Sequence, residues 1–572
     1  MPPVISREHY EAILFKDEFP WYQTRTSPCE ANCPAGNNIQ RTVSLIRDNR
    51  FEEALVNLKA TNPLPGITGR VCFYPCETAC NRGQYDDRIS IRFLERAVSD
   101  HADRNKVKKA KRLPDTNRSV AIIGSGPAGL SCAYYSSLLG HSVTIFEASK
   151  EIGGVLNIIP MNRLPMDVVK KEVGEIVELG LKVRTGTEVG KDIQLEDILN
   201  DYDACLIATG AWESKSLNIP GNENAISALT YLSDVSQGKV YDLGDRVVVI
   251  GSGGTAFDCA TTALRTGAQE VHLAALETMD DMLATPEEIE RGLSEGIILH
   301  NSKTFTGIVS NNGKVKGIEC LDIKSFEFDE NGALRLETVE GSEQLIEADS
   351  VIFAIGQGPV TGFAEGVDGI CVSGRRTLAS EKEGVFVAGD VATGPKSIVE
   401  AIGGGRMAAM SIHNYLTGDD KNKKIDGISI DAEGKIRIET YNYKGEGSVP
   451  QRVVDFRHLA NVEYYDNRPR VEVNSLSVSL SLSDFDEINK GYSKAKAIEE
   501  SDRCFHCGHC FECGTCVDVC PEDIYEITEE GIKVKYPDEC FICGACVMDC
   551  PCSAITMRIP APMRLAAVRA KR

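Results

Sequence analysis

A chain of 572 residues with 42% hydrophobic and 26% charged residues is long enough for about four globular domains. Its 84 acidic against 62 basic residues leave a net charge of -22, which excludes nucleic acid and anionic membrane as partners, since both require a basic footprint. No run of about 18 apolar residues occurs, so no membrane span is expected; Met1 to Phe19 lacks an apolar signal core, and 21 cysteines in a large chain point to metal in a reducing cytoplasm.

Residues 1–113 form the first expected unit. Ile39 to Arg47 and Phe51 to Lys59 place apolar residues at helical spacing. The same stretch carries Cys29, Cys33, Cys72, Cys76 and Cys80. A C-x3-C-x3-C run inside a helical segment is better explained by a metal cluster than by unligated buried thiols, although its spacing is not that of a ferredoxin. The basic run from Arg104 to Arg112 reads as a solvated linker before Pro114.

Next, Ser119 to Ile123 reads as a buried strand entering Gly124-Ser125-Gly126-Pro127-Ala128-Gly129. An apolar helix to Leu139 and a strand ending at Phe146-Glu147 follow. Strand, G-x-G-x-x-G, helix and acidic residue make a dinucleotide fingerprint. The glycines let a pyrophosphate approach the helix N-terminus, and Glu147 is placed for ribose hydroxyls. A second copy runs from Val247 to Ile250 through Gly251, Gly253, Gly254, Thr255 and Ala256, with a strand from near Val271 to Glu277. Gly384 to Asp390 reads as a strand ending in Gly389-Asp390, ahead of a glycine-rich helix starting at Ile402. A disulfide reductase would place a cysteine pair beside a flavin. Cys132, Cys205, Cys259, Cys320 and Cys371 are isolated and read as small buried hydrophobes.

Residues 419–502 read as a connector: a charged break from Asp419 to Lys424, a short hairpin between Ile425 and Glu439, then mixed signals. Residues 503–572 hold two C-x2-C-x2-C-x3-C-P runs, Cys510, Cys513, Cys516, Cys520 and Cys540, Cys543, Cys546, Cys550. That spacing wraps cubane clusters, the fourth cysteine of each run serving the other cluster. A zinc ribbon would use two separated C-x2-C knuckles instead. His506 and His509 are expected near the iron without binding it. The basic tail Arg564 to Arg572 either docks a partner or is solvated.

Thr68-Gly69-Arg70-Val71-Cys72, then Cys76-Glu77, Cys80 and Ile89 to Arg96, resemble the N-terminal domain of the glutamate synthase small subunit. The same domain opens dihydropyrimidine dehydrogenase and the large subunit of NADH-dependent ferredoxin:NADP oxidoreductases. The resemblance implies one cluster on Cys33, Cys72, Cys76 and Glu95. It implies a second on Cys29, Cys80 and a C-x2-C pair just upstream, yet no such pair precedes Cys29. Gly153-Gly154, Arg163-Leu164-Pro165, Ala208-Thr209-Gly210 and Gly389-Asp390 resemble landmarks of two-dinucleotide flavoproteins. That implies FAD over 114–235 and 346–418, with Asp390 on the ribityl chain, and an NAD(P) domain inserted at 236–345. NADPH-using relatives carry a Tyr-Arg-Arg stretch where this chain has Ala275-Leu276-Glu277. An acid there repels a 2'-phosphate and accepts from a free hydroxyl, so NAD(H) is expected over NADP(H). Arg503-Cys504-Phe505-His506-Cys507 resembles the missing C-x2-C pair. Either it completes the Cys29–Cys80 cluster, so that fifteen cysteines and Glu95 serve four [4Fe-4S] clusters with Cys552 spare, or it is an idle pair.

The expected fold is therefore multidomain α/β: an N-terminal helical Fe-S domain, two nested Rossmann-like domains and a bacterial 2[4Fe-4S] ferredoxin domain. The expected function is NAD(P)H:acceptor oxidoreduction, in which FAD couples hydride to single-electron clusters and no catalytic side chain is required. The partners expected are catalytic subunits of 2-oxoacid oxidoreductase, acyl-CoA reductase or sulfite reductase type, or a ferredoxin. A glutamate synthase small subunit and a non-enzymatic electron relay are the alternatives.

Overall fold

The computed structural model describes residues 20–22, 25–328, 334–364, 378–418, 423–431, 433–442, 453–459, 461–482, 484–528, 531–536, 539–540 and 543–557. Met1 to Phe19, Cys371 and the basic tail Arg564 to Arg572 lie outside the described residues.

Five parallel strands build the first dinucleotide fold, in the order Val385–Val387, Ala204–Ile207, Ser119–Ile123, Ser142–Phe146 and Lys182–Arg184. The inner strands are buried from Val120 to Ile123 and from Ala204 to Ile207, as expected of a sheet covered on both faces. Helix Pro127–Leu138 is buried along its whole length because helix Ile398–Thr417 lies against it. A Cβ on Gly405 would stand 2.1 Å from the Ala128 carbonyl oxygen, so only glycine permits this approach. The second helix begins at Ile398 rather than Ile402, on a capping box of Ser397 and Glu400. Its glycines are interior packing positions, not a start signal.

The second fold orders its parallel strands Ile298–His300, Glu270–Ala274, Arg246–Ile250, Ser350–Phe353 and Ile226–Ser227. This corrects the expected limits of 236 and 345: strands on both sides of that interval hydrogen-bond into the inserted sheet. An antiparallel sheet, including Lys303–Asn311 and Lys314–Phe328, shares an apolar core with it.

The N-terminal domain packs helices Ile39–Arg47, Phe51–Lys59, Pro65–Val71 and Ile91–His101. Its core also takes Tyr492 and Ala497 from the expected connector, whose helix Lys494–Asp502 lies on helices Ile39–Arg47 and Ile91–His101. The connector also holds the expected hairpin, Lys423–Ile430 with Ile436–Asn442. In the last unit, short helices Thr515–Asp518 and Ala545–Met548 carry Cys516 and Cys546, and hairpin Tyr525–Thr528/Gly531–Val534 lies between the two cysteine runs. Strand Pro20–Tyr22 pairs antiparallel with Ile555–Met557, so the two ends of the chain share a ladder. Among the described residues no helix is long and apolar enough to cross a membrane.

Candidate active site and cluster cages

A cavity of about 1200 Å³ opens where the two dinucleotide folds face each other. Gly124, Gly126, Glu147, Gly154, Arg163, Gly389 and Asp390 line its first half; Gly251, Gly253, Gly254, Thr255 and Glu277 line its second. Gly129 lies just behind the wall, where a Cβ would stand 2.0 Å from the Gly124 carbonyl oxygen. A Cβ on Gly126, by contrast, would meet nothing within 4 Å. The space at the start of helix Pro127–Leu138 is therefore open to a ligand, as a pyrophosphate requires. Two buried polar atoms on the same wall, Asn162 Oδ1 and Thr209 Oγ1, have no protein partner. Buried polar atoms are normally satisfied, so the wall fits a polar group such as the flavin ring system.

Glu147 is buried. Its Oε2 accepts from Ser125 N at 2.9 Å and Ser125 Oγ at 2.5 Å, and its Oε1 accepts from Ser149 N at 2.8 Å. Burial pushes the Asp390 carboxyl above its ordinary range, against the Lys396 N–H that donates to it at 3.1 Å. Arg163 crosses between the folds. Its guanidinium donates to Asp258 at 2.6 Å and pairs with Glu288 at 2.7 Å, both on the inserted fold. These carboxylates hold its pKa above the ordinary arginine value against the opposing effect of burial.

The register relocates the expected specificity residue. Ile123 pairs with Phe146, and Glu147 follows; Ile250 pairs with Ala274, and Ala275 follows. Ala275 thus occupies the place of Glu147, and the strand stops before Glu277. Glu277 sits in the following loop, its carbonyl accepting from Ser302 N at 3.2 Å and Asn301 Nδ2 at 3.1 Å. The cations lining the cavity are committed to carboxylates. Arg70 and Arg96 pair with Glu487, Arg92 with Glu287, Arg163 with Glu288, Arg291 with Glu295 and Lys396 with Glu400. Sequence reasoning missed Arg70, Arg92, Arg96 and the connector residues Glu487 to Asn489, which only the tertiary fold brings to this wall.

Cys72 and Arg92 line both this cavity and a small one shared by Cys33, Cys76 and Glu95. Cys72 ends helix Pro65–Val71, and Cys76 lies in the short helix Pro75–Thr78. Glu95 accepts from Asn37 Nδ2 at 2.8 Å and from the Thr68 hydroxyl. Burial pushes its pKa up to about 7. A Cβ on Gly403 would stand 2.3 Å from the Pro34 carbonyl oxygen, so the helix Ile398–Thr417 lies directly against the Cys33 loop.

Ile39 and Ile91 separate that cage from another, lined by Cys29, Cys80, Cys504 and Cys507. In the last unit the Cys510 thiol feels Cys516, Cys550 and Cys513, and Cys546 feels Cys540, Cys543 and Cys520. Those are the two crossed quartets of the ferredoxin spacing. Burial dominates in raising the Cys510 thiol to about 11, and it also raises Cys546. Cys552 is buried with its Sγ 3.7 Å from Cys550 Sγ. His506 is buried and stacks on Phe511 at 4.7 Å, and His509 Nε2 meets Glu30 Oε2 at 3.1 Å. No described group of three His, Cys, Asp or Glu converges on one metal ion; Cys33, Cys72 and Cys76 line one small space, and Cys29, Cys80, Cys504 and Cys507 another. Cys132, Cys205, Cys259 and Cys320 are buried and none lines the cavity.

Comparison with known proteins matches residues 118–405 to the family described as pyridine nucleotide-disulphide oxidoreductase. Residues 22–107 match dihydropyrimidine dehydrogenase domain II, 4Fe-4S cluster. The NADP(+)-dependent formate dehydrogenase subunit beta of Moorella thermoacetica is 33% identical over 522 residues, covering 84% of this chain and 70% of its own. The NADPH-Fe(3+) oxidoreductase subunit beta of Geobacter sulfurreducens is 32% identical over 519 residues, 84% of this chain and 75% of its own. The glutamate synthase [NADPH] small chain of Escherichia coli is 33% identical over 423 residues, 68% of this chain and 88% of its own.

Proposed function

The chain belongs to the pyridine nucleotide-disulphide oxidoreductase family, and from that premise we propose that it is the electron-transfer subunit of a larger redox complex. In this reading it passes electrons between NADH and a partner's catalytic subunit. The observation that carries the reading is spatial: one cavity is lined by both dinucleotide fingerprints and by a cysteine of the nearest cage. Bound FAD would couple two-electron hydride transfer to the one-electron chemistry of iron–sulfur clusters.

The residues' own work is positioning. Gly124, Gly126 and the N-terminus of helix Pro127–Leu138 would receive the FAD pyrophosphate, Glu147 its ribose, and Asp390 the ribityl chain. Gly251, Gly253, Gly254 and Thr255 would receive the nicotinamide nucleotide, whose adenosine end meets Leu276 and Glu277. Ala275 stands in the acidic fingerprint position, and the lining cations stand in ion pairs with carboxylates, Lys396 loosely at 3.9 Å. That favours NADH, although the relatives named above are NADP(+)- or NADPH-dependent by their names. Cys33, Cys72, Cys76 and Glu95 would hold the cluster nearest the flavin, and the two ferredoxin quartets the outer clusters. The count of four clusters depends on Cys504 and Cys507 joining Cys29 and Cys80. The setting is the reducing cytoplasm, and the partner is of formate dehydrogenase, 2-oxoacid oxidoreductase, acyl-CoA reductase or sulfite reductase type.

A glutamate synthase small subunit is the second reading, favoured by the 33% identity to that chain. That similarity covers 68% of this chain against 84% for the formate dehydrogenase and iron reductase subunits. Steady-state reduction of a viologen by NADH and by NADPH tests the proposal. The expected result is viologen reduction with the larger kcat/KM for NADH. A tenfold advantage for NADPH would sink the nucleotide reading, and no viologen reduction with either would sink the enzyme reading.

A further inference from the structure

Four buried or half-buried thiols from opposite ends of the chain face one cavity: Cys29, Cys80, Cys504 and Cys507. All four are free of disulfides. Cys29 lies within electrostatic reach of Cys80 and Cys504, and Cys507 within reach of Cys504 and Cys80. The other eleven cage cysteines, Cys33, Cys72 and Cys76 plus the eight of the two ferredoxin runs, have other quartets to serve; these four are left to one another.

The surroundings are those of an anionic centre. Gln40 Nε2 donates to Cys29 Sγ at 3.3 Å, Asn81 Nδ2 to Cys507 Sγ at 3.5 Å, and the His506 N–H to Cys504 Sγ at 3.4 Å. Donors aimed at sulfur are how a protein supports thiolate ligands. Arg82 and Arg503, both almost fully buried, flank the cage. Arg503 donates to both Glu500 oxygens at 2.8 and 3.0 Å and to the Asp87 carbonyl at 2.6 Å, while Arg82 Nη1 donates to the Arg503 carbonyl at 2.8 Å. Ions this deeply buried must be paired in good geometry, so this network fixes the register of Cys504 and Cys507 on the N-terminal domain. The four thiols line one small cavity, as the ligands of a cubane would.

We propose that Cys29, Cys80, Cys504 and Cys507 bind one [4Fe-4S] cluster across the fold. This centre is the junction between the flavin unit and the ferredoxin unit. On one side it shares Ile39 and Ile91 with the cage at Cys33, Cys72, Cys76 and Glu95. On the other, Tyr465 lies within electrostatic reach of Cys504 and Cys507 and also of Cys513 and Cys552. Its ring stands 4.6 Å from that of Phe505. The inference rests on the cluster-relay reading, but its test reads metal content and not electron transfer.

Iron and zinc per FAD, with the spin count of the reduced clusters by electron paramagnetic resonance, are measured on anaerobically purified full-length protein. At four irons per cubane, wild type is expected to hold about sixteen irons per FAD. Cys29→Ala, Cys507→Ala and the double variant are each expected to hold about twelve, with one fewer cluster spin, because both residues serve the same cluster. Cys552→Ala should keep the wild-type value. Wild type at about twelve irons, unchanged in Cys507→Ala, would overturn the proposal. So would a zinc ion lost on Cys507→Ala, or a double variant that loses twice as much iron as either single one. If Cys507→Ala does not accumulate, Cys507→Ser carries the same expectations, and the wild-type iron count alone still decides.

Discussion

Glu172 is the fully buried carboxylate through which the flavin fold holds the cluster domain. It stands on helix Met166–Val177, and its Oε1 accepts from Gly66 N at 2.8 Å and Ser99 Oγ at 3.1 Å. Its Oε2 accepts from Ile67 N at 3.1 Å. Gly66 and Ile67 open the helix Pro65–Val71, which ends at Cys72, so Glu172 neutralises a buried helix start directly behind a predicted cluster ligand. Burial raises its carboxyl pKa, and the neighbouring Lys59 and these donors oppose that rise. Glu172→Ala leaves two buried N–H groups without an acceptor, at about 1–3 kcal/mol each. Glu172→Gln keeps Oε1 but turns an amide NH2 towards the Ile67 N–H, costing about 1–3 kcal/mol. For a cooperative unit of roughly 250 residues, about the size of the cluster domain with the flavin fold, each kcal/mol lowers Tm by about 2 °C, so Glu172→Ala should melt roughly 4–12 °C early and Glu172→Gln roughly half that. The assay is thermal unfolding of the FAD-loaded protein followed by circular dichroism, with iron content read in parallel. A Glu172→Ala protein melting within about 1 °C of wild type would refute the reasoning.

Gly126→Ala and Gly129→Ala separate binding from folding. The first should fold with wild-type stability but bind FAD about tenfold more weakly, read by flavin titration, because its Cβ enters open ligand space. The second should lose about 1–3 kcal/mol of stability through its contact with the Gly124 carbonyl; equal behaviour of the two would contradict the cavity assignment. Replacing Leu276 and Glu277 together by arginine should move the NADPH/NADH ratio of kcat/KM by about 10–100-fold towards NADPH, and an unchanged ratio would remove Glu277 from the nucleotide site. His141 is buried with Nε2 2.9 Å from His413 Nδ1 and Nδ1 2.7 Å from Thr116 Oγ1. Burial and His413, with Arg112, lower its pKa to about 4, against weaker opposite effects of Asp115 and Asp203. Between that value and about 6.5 the unfolded chain binds the extra proton, so stability is full above about pH 6.5 and falls by about 3 kcal/mol towards pH 4. Chemical denaturation across that window should show a smaller loss in His141→Gln, and an equal loss would exclude His141 as its source.

The elements that follow from local periodicity were legible in the chain itself. Ile39–Arg47, Phe51–Lys59 and Ser119–Ile123 have the expected bounds, and both fingerprints line one cavity. What local pattern could not supply is the partner of each pattern. Gly403 to Gly405 read as a helix start because glycine weakens helices, yet tertiary packing against Ala128 and Pro34 places them inside one. Ser350–Phe353 reads as the return to the flavin fold, and only its hydrogen bonds to Arg246–Ile250 assign it to the inserted sheet. Glu277 drew attention as an acid, but strand register gives the fingerprint position to Ala275. The connector had no periodic signal at Glu487 to Asn489, because these residues take their place from ion pairs with Arg70 and Arg96 and from the Ile488 N–H donating to the Asn162 carbonyl.

One cavity is lined by both dinucleotide fingerprints and by Cys72, so electrons from NADH should reach the clusters through the flavin. Rapid anaerobic mixing of the full-length protein with NADH, with flavin absorbance and frozen-sample paramagnetic resonance read at successive times, tests it most directly. The flavin is expected to bleach first, with reduced-cluster signals rising afterwards in the absence of any added acceptor. A fully bleached flavin with no cluster signal, in a sample whose clusters dithionite does reduce, would contradict it.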